Sequence, residues 1–280
     1  MIDRYSAWER AAIYAGMALF LVFILAPFAE ALMVSLRPLD AVFRIPYTFF
    51  GGEMTLQPYR DMLVSVPGLF RYILNSFIVA TAGTALGLVC VVPAAYAFAR
   101  FRFRGSGALL TAFLSVNMIG AAVLIIPLFK IMLGLGILNT YLAMIIPGAT
   151  FVVPTGIFLM RTYFMRIPAE LEDAAYVDGA SRLYTLRRVV LPLALPGMVV
   201  VAVTMFLSIY AQQFLFALTF NANDAYHTLP VGLFQFFGRE DVLWNELMAA
   251  SLVGILPVLV AYLFAQKYIV AGLTAGAVKQ

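Results

Sequence analysis

Apolar residues in this chain come in long unbroken runs, not at the two-residue or three-to-four-residue spacing of half-buried strands and helices. A bilayer core needs about 20 apolar residues per helix. Six runs qualify, near residues 11–34, 72–99, 108–132, 141–160, 193–218 and 247–270. Pro27, Pro93, Pro127, Pro147, Pro154 and Pro257 fall inside them. Membrane helices tolerate proline because neighbouring helices and waters satisfy the freed carbonyls. The polar remainder collects in short links and in three longer segments, 35–71, 161–192 and 220–246. The pattern predicts an all-α integral membrane protein with six transmembrane helices, residues 1–280 forming a single domain. There is no internal repeat, which disfavours folds built from inverted repeats.

Composition agrees with this reading. Apolar residues make up 64% of the chain and charged residues 11%, against about 25% charged in soluble domains. Such a chain cannot cover a globule with polar surface, so lipid must be its solvent. The net charge of +4 suggests nucleic acid only until the positions are considered, because the basic residues cluster at the ends of apolar runs. Six spans put both termini on one side. That side holds Arg4, Arg10, Arg100, Arg102, Arg104, Arg161, Arg166, Arg182, Arg187, Arg188, Lys267 and Lys279, twelve in all. The other side holds Arg37, Arg44, Arg60, Arg71, Lys130 and Arg239, six in all. Basic loops stay inside, so both termini and segment 161–192 are expected in the cytoplasm. The charged start before the first run reads as an uncleaved signal-anchor. The one cysteine, Cys90, is expected as a small buried apolar residue.

Much chemistry is excluded. There is no G-x-x-x-x-G-K-[ST], and none of Lys130, Lys267 and Lys279 follows a glycine, so no P-loop holds ATP. His227 is the only histidine, which disfavours a His-based triad or zinc site. Glu30 is the only acidic residue inside a predicted span, so no proton or ion relay is visible. If this chain transports a solute, a partner must supply the energy.

Segment 161–192 is the exception to the apolar rule. Pro168 suits a first helical turn, and Glu170, Glu172 and Asp173 then sit at the positive end of the helix dipole. Leu171, Ala174, Ala175 and Asp178 recur on one small-residue face, Gly179 stops the helix, and Ser181 can cap the next one. One reading is an interfacial helix lying on headgroups. Alanines and carboxylates in place of a bulky apolar face suit a protein cleft better.

The stretch resembles the EAA loop of binding-protein-dependent ABC importers: E-A-A, three residues, G, nine residues, I-x-L-P. Here Asp173-Ala174-Ala175 is followed at the same spacing by Gly179 and by Val189-Val190-Leu191-Pro192. Asp173 stands for Glu and Val189 for Ile. RIPAELEDAAYVDGAS, NSFIVATAGTALGLVCVVPAAYAFARFRFRG, IIPLFKIMLGLGILNTY and GLTAGAVK are similar to the carbohydrate-uptake subfamily, specifically the smaller permease of maltose-type importers. The chain departs at Gly120, where the family usually has proline.

The resemblance implies the type I ABC importer permease fold with a cytoplasmic coupling helix, in a bacterial inner membrane. It implies a second, homologous permease, two ATPase subunits that bind ATP and Mg²⁺, and an extracytoplasmic solute-binding protein. This chain itself would hold no cofactor and hydrolyse nothing. Glu172, Asp173, Ala174, Ala175, Asp178 and Gly179 would dock into an ATPase cleft. Leu191 and Pro192 would pass the motion into the fifth span, turning the cavity from inward- to outward-facing. The tail at 274–279 resembles one that reaches the ATPase interface.

A sugar or sugar-like solute, whether oligosaccharide, polyol or sulfosugar, is bound by aromatic faces and amide hydrogen bonds. Span five offers Tyr210, Gln212, Gln213 and Phe214, and span three offers Ser115 and Asn117. The same polar groups can equally bond neighbouring helices. Other readings are an ABC permease for a non-sugar solute, an ion-coupled secondary transporter, and a membrane scaffold or receptor. The near absence of ionisable residues in the spans disfavours the second, and the kinked, polar-spotted third and fifth spans disfavour the last.

Overall fold

A computed structural model describes residues 6–45, 52–238 and 241–274. In chain order the helices are α1 Ala7–Ser35, α2 Leu39–Val42, α3 Gln57–Ser65, α4 Leu69–Arg100, α5 Ser106–Val116, α6 Ala121–Gly134, α7 Leu142–Arg166, α8 Glu170–Val177, α9 Arg182–Thr185, α10 Leu191–Ala211, α11 Gln213–Phe220, α12 Leu229–Phe234 and α13 Trp244–Thr274. A π-helical turn, Leu186–Val190, joins α9 to α10, and a 3₁₀ turn, Asp224–Tyr226, lies between α11 and α12. The described residues form no strand, only an isolated antiparallel bridge between Phe237 and Val242.

Among the described residues five helices are long and apolar enough to cross a membrane: α1, α4, α7, the helical run Arg182–Ala211, and α13 over Trp244–Lys267. The predicted third span is two shorter helices, α5 and α6, broken between Asn117 and Gly120. The predicted fifth span runs as α10 and α11 about a break at Gln212. Span four continues to Arg166, six residues past the expected end at 160, because nothing in MRTYFMR interrupts a helix. Every proline expected inside a span lies within a helix. The chain divides into two compact units.

The first unit comprises residues 1–69 and 233–255. Helix α1 opens with a capping box in which Ser6 and Glu9 exchange hydrogen bonds. It is apolar all round and almost wholly exposed, with Ser35 its only buried residue. Such a surface is stable only in a non-aqueous solvent. Polar pairs tie this unit together: Ser35 with Tyr59 at 2.9 Å, Ser65 donating to Glu246 at 2.5 Å, and Asn245 donating to the Arg37 carbonyl at 3.2 Å. Glu246 lies in the first turn of α13, ahead of the span expected from 247, and is buried.

The second unit comprises residues 70–232 and 256–280 and holds the main core. Val91, Ala95, Met160, Phe164, Val190, Val201 and Met205 are at its centre. Its chief packing is α7 on α10, which approach where Gly197 faces the Tyr163 ring. A Cβ there would lie 2.3 Å from the ring, so only glycine fits. Small residues bring membrane helices close where no hydrophobic force drives them together. Cys90, expected buried, is exposed on the outer face of α4. A continuous apolar run specifies a membrane helix without specifying which face is inward.

Gly120 caps α6 with φ −59° and ψ 139°, and a Cβ there would meet nothing within 4 Å. Proline imposes nearly that φ. The break in the third span is therefore made without the family's proline. Gly120→Pro is expected to keep wild-type expression and to raise stability by about 0.4–1 kcal/mol by restricting the unfolded chain. Thermal unfolding in detergent measures it, and a fall in stability would contradict this account of the break.

Candidate coupling elbow and solute cavity

The polar segment between α7 and α10 folds as an elbow. Pro168 lies ahead of the first turn rather than within it, because α8 begins at Glu170 with Ala169 as its cap. No side chain caps this end, so Glu170, Glu172 and Asp173 complement the free N–H groups through the helix dipole. At the other end Gly179 has φ +81°. Its N–H donates to the Tyr176 carbonyl at 3.0 Å, and the Ala180 N–H donates to the Ala175 carbonyl at 2.9 Å. This is a Schellman stop, which needs a left-handed residue where glycine sits. Ser181 then caps α9, accepting from the Tyr184 N–H at 3.4 Å. The π turn Leu186–Val190 carries the chain into α10, where Leu191 is half-buried and Pro192 exposed.

The proposed docking residues divide by direction. Asp173, Ala174, Asp178 and Gly179 are exposed, and Ala175 is half-buried. Glu172 points the other way. It is 4% exposed and pairs with Arg100 Nε at 2.5 Å, while the Tyr96 hydroxyl donates to its second oxygen. Arg100 also donates to the Ile167 carbonyl at 2.8 Å. Glu172 therefore anchors α8 to the end of α4, with its carboxylate turned away from the exposed face of the helix. Tyr96 and Arg100 were missed by sequence reasoning. Their four-residue spacing at a helix end places both on one face, the only signal available. Leu171 and Tyr176 are partly exposed and Val177 is 89% exposed. Apolar groups on a polar segment are the usual mark of a surface covered in an assembly.

A cavity of about 330 Å³ opens between α5, α6, α7 and α10. Asn117, Thr155, Thr204, Ser208 and Gln212 supply its polar lining and Phe151 an aromatic face. Asn117 donates to the Thr155 hydroxyl at 3.0 Å. No ionisable side chain lines it. Of the residues singled out for the solute, the fold brings Asn117 and Gln212 to this cavity, and its lining does not include Tyr210, Gln213 or Phe214. Gln213 is 2% exposed and donates to the Ser76 carbonyl at 3.0 Å, bonding one helix to another. Tyr210 stacks on Phe206 with centroids 5.9 Å apart. Phe214 packs against the core. Ser115 is exposed and bonds back to the Thr111 carbonyl at 2.9 Å. Thr155, Thr204 and Ser208 were not predicted, since hydroxyls four apart in an apolar run read as ordinary helix until the packing is known.

Apolar helices carrying an uncharged cavity and one polar elbow define a polytopic helical permease. The chain belongs to the family described as binding-protein-dependent transport system inner membrane component, which matches residues 13–274. It is 37% identical to the inner membrane ABC transporter permease protein YcjP of Escherichia coli (strain K12), over 97% of each chain. It is 37% identical to the sulfoquinovosyl glycerol transport system permease protein SmoH of Agrobacterium fabrum, over 84% of this chain and 81% of that one. It is 34% identical to the trehalose/maltose transport system permease protein MalG of Thermococcus litoralis, over 99% of each. The fold is shared with a chain from the crystal structure of a bacterial ABC transporter that imports the acidic polysaccharide alginate. The TM-score is 0.73 at 24% identity, over 95% of this chain and 99% of that one.

Proposed function

We propose that this permease imports a sugar or sugar-like solute into the cytoplasm by alternating access, driven by ATPase subunits that grip the α8 elbow. The observation that carries the reading is the elbow's two-sidedness: Glu172 clamps one face to α4 while Asp173, Ala174, Val177 and Asp178 are left outward. A handle needs both a rigid attachment and a free face. Asp173 would pair with a basic group of the ATPase, and Leu191 and Pro192 would pass the movement into α10. The excess of basic residues on one side supports a cytoplasmic elbow and cytoplasmic termini. A second permease, two ATPases binding ATP and Mg²⁺, and an extracytoplasmic binding protein complete the assembly. Residues 275–279 of the tail assigned to the ATPase interface lie outside the described residues.

The substrate class rests on the cavity and on the relatives. An uncharged lining of amides and hydroxyls beside an aromatic ring matches a polyhydroxylated solute, whose bonds it can satisfy without a counter-ion. Relatives are named for transport of trehalose/maltose, sulfoquinovosyl glycerol and arabinooligosaccharides. Reconstitution of the permease pair with its ATPase and binding protein tests the mechanism. ATP-dependent, vanadate-sensitive sugar uptake is expected, and uptake driven by an ion gradient without ATP would refute it.

Within that assay Asn117→Leu and Gln212→Leu are each expected to weaken apparent affinity by about 10- to 100-fold, the cost of leaving a solute hydroxyl unpaired at about 1–3 kcal/mol. Basal ATP hydrolysis should be unchanged. Gln213→Leu is expected to act on stability instead. Unaltered affinity in both cavity variants would remove this cavity from the pathway.

A further inference from the structure

At the same end of α4 and α7 as the elbow lies a second, open cavity of about 640 Å³. Arg100, Arg102, Arg104 and Arg161 line it, together with Phe98 and Phe103. Arg182 stands close by, its guanidinium 5.0 Å from the Phe101 ring. Glu172 is the acid beside them, and Arg100 and Tyr96 already hold it. Arg161 spends its Nε on the Phe98 carbonyl at 3.1 Å. Among the described residues Arg102 and Arg104 make no ion pair, and both are exposed. The cavity therefore keeps a net positive charge that the Arg100–Glu172 pair does not cancel.

We infer that this cavity holds the phosphodiester headgroup of an anionic phospholipid. The connecting loop is short and joins two apolar helices, so it lies at the level of the headgroups. Its sequence alternates Phe101-Arg102-Phe103-Arg104: the rings pack back on the protein, Phe101 against Tyr96 and Phe103 against Phe98, and the exposed guanidinium groups between them are free to reach lipid phosphates. Phe98 and Phe103 pack at 5.6 Å, which turns Phe103 back on α4. Gly105 opens α5 without a side-chain cap, and Ser106, the first residue of that helix, lines the cavity, so the positive end of the helix dipole lies at its edge. Arginine suits a phosphate through its bidentate fork. A basic pocket between membrane helices is the setting in which lipid phosphates are held.

The purified transporter complex is assembled in nanodiscs of phosphatidylcholine alone or of phosphatidylglycerol alone, and bound lipid is read by native mass spectrometry after transfer to detergent. The wild type is expected to keep phosphatidylglycerol and release phosphatidylcholine. In the double variant Arg102→Gln, Arg104→Gln retention should fall by about thirtyfold, given the usual attraction of each basic residue to an anionic surface. Arg102→Lys, Arg104→Lys should restore part of it. Millimolar inorganic phosphate should not displace the lipid; displacement would mean that the site takes free phosphate. Equal retention of the two lipids, undiminished phosphatidylglycerol in the Gln variant, or a photo-crosslink from position 102 to an ATPase subunit in place of lipid overturns the inference.

Discussion

Solute uptake is expected to vanish in Gly179→Pro while the protein still inserts and accumulates in the membrane. Gly179 holds φ at +81°, whereas proline fixes φ near −65°. Any L-residue in the left-handed region costs about 1–2 kcal/mol, and proline also removes the N–H that bonds the Tyr176 carbonyl. The stop of α8 would be lost, and with it the angle between α8 and α9. The membrane helices do not depend on that angle, so insertion should survive. Ala174→Arg makes the complementary test. It leaves the turn intact and fills the small exposed face with a long cation beside Asp173 and Asp178. Loss of uptake with loss of ATPase co-purification is expected there too. Uptake at the wild-type rate by either variant, at equal membrane levels, would remove the elbow from the coupling path.

Breaking the anchor should cost the most stability of any single change. Glu172 is buried and Arg100 largely so, with side chains 5% and 15% exposed. Removing one member of a buried pair leaves an uncompensated charge and costs about 3–5 kcal/mol, whereas replacing both by apolar groups of similar size is often neutral. Glu172→Leu and Arg100→Leu are therefore each expected to unfold the elbow locally, seen as new protease cleavage between α7 and α10 and a lowered melting temperature. The double Leu variant should recover most of the loss. Tyr96→Phe removes one hydrogen bond to a charged group and should cost about 1.5–3 kcal/mol. If both single Leu variants melted like the wild type, the pair would not clamp α8, and its free face would lose its rigid backing.

Legibility followed the range of the physics involved. The stop at Gly179 and the cap at Ser181 depend on a few adjacent residues, so spacing alone revealed them. The two faces of α8 were harder. Glu172 and Asp173 are neighbouring carboxylates with the same local signal, and only the position of Arg100, 72 residues earlier, distinguishes the buried carboxylate from the exposed one. The cavity followed the same logic. Gln212 and Gln213 are adjacent amides, yet one faces the cavity and the other bonds Ser76, because the break at Gln212 sets their directions. Cys90 was misjudged for a related reason, since an all-apolar helix carries no stripe to orient it.

Hydrophobic run length, charge clustering and turn chemistry are properties of neighbouring residues. They were enough to establish a helical membrane protein, its polar elbow and its family. Which side of each helix turns inward was a matter for the assembled fold, because apolar sequence is indifferent to whether a methyl group meets lipid or protein. Packing of α7 on α10 through Gly197, the ion pair behind α8 and the convergence of polar side chains from the third, fourth and fifth spans all join residues far apart in the chain. Their energies arise only at contact, and no local pattern encodes them.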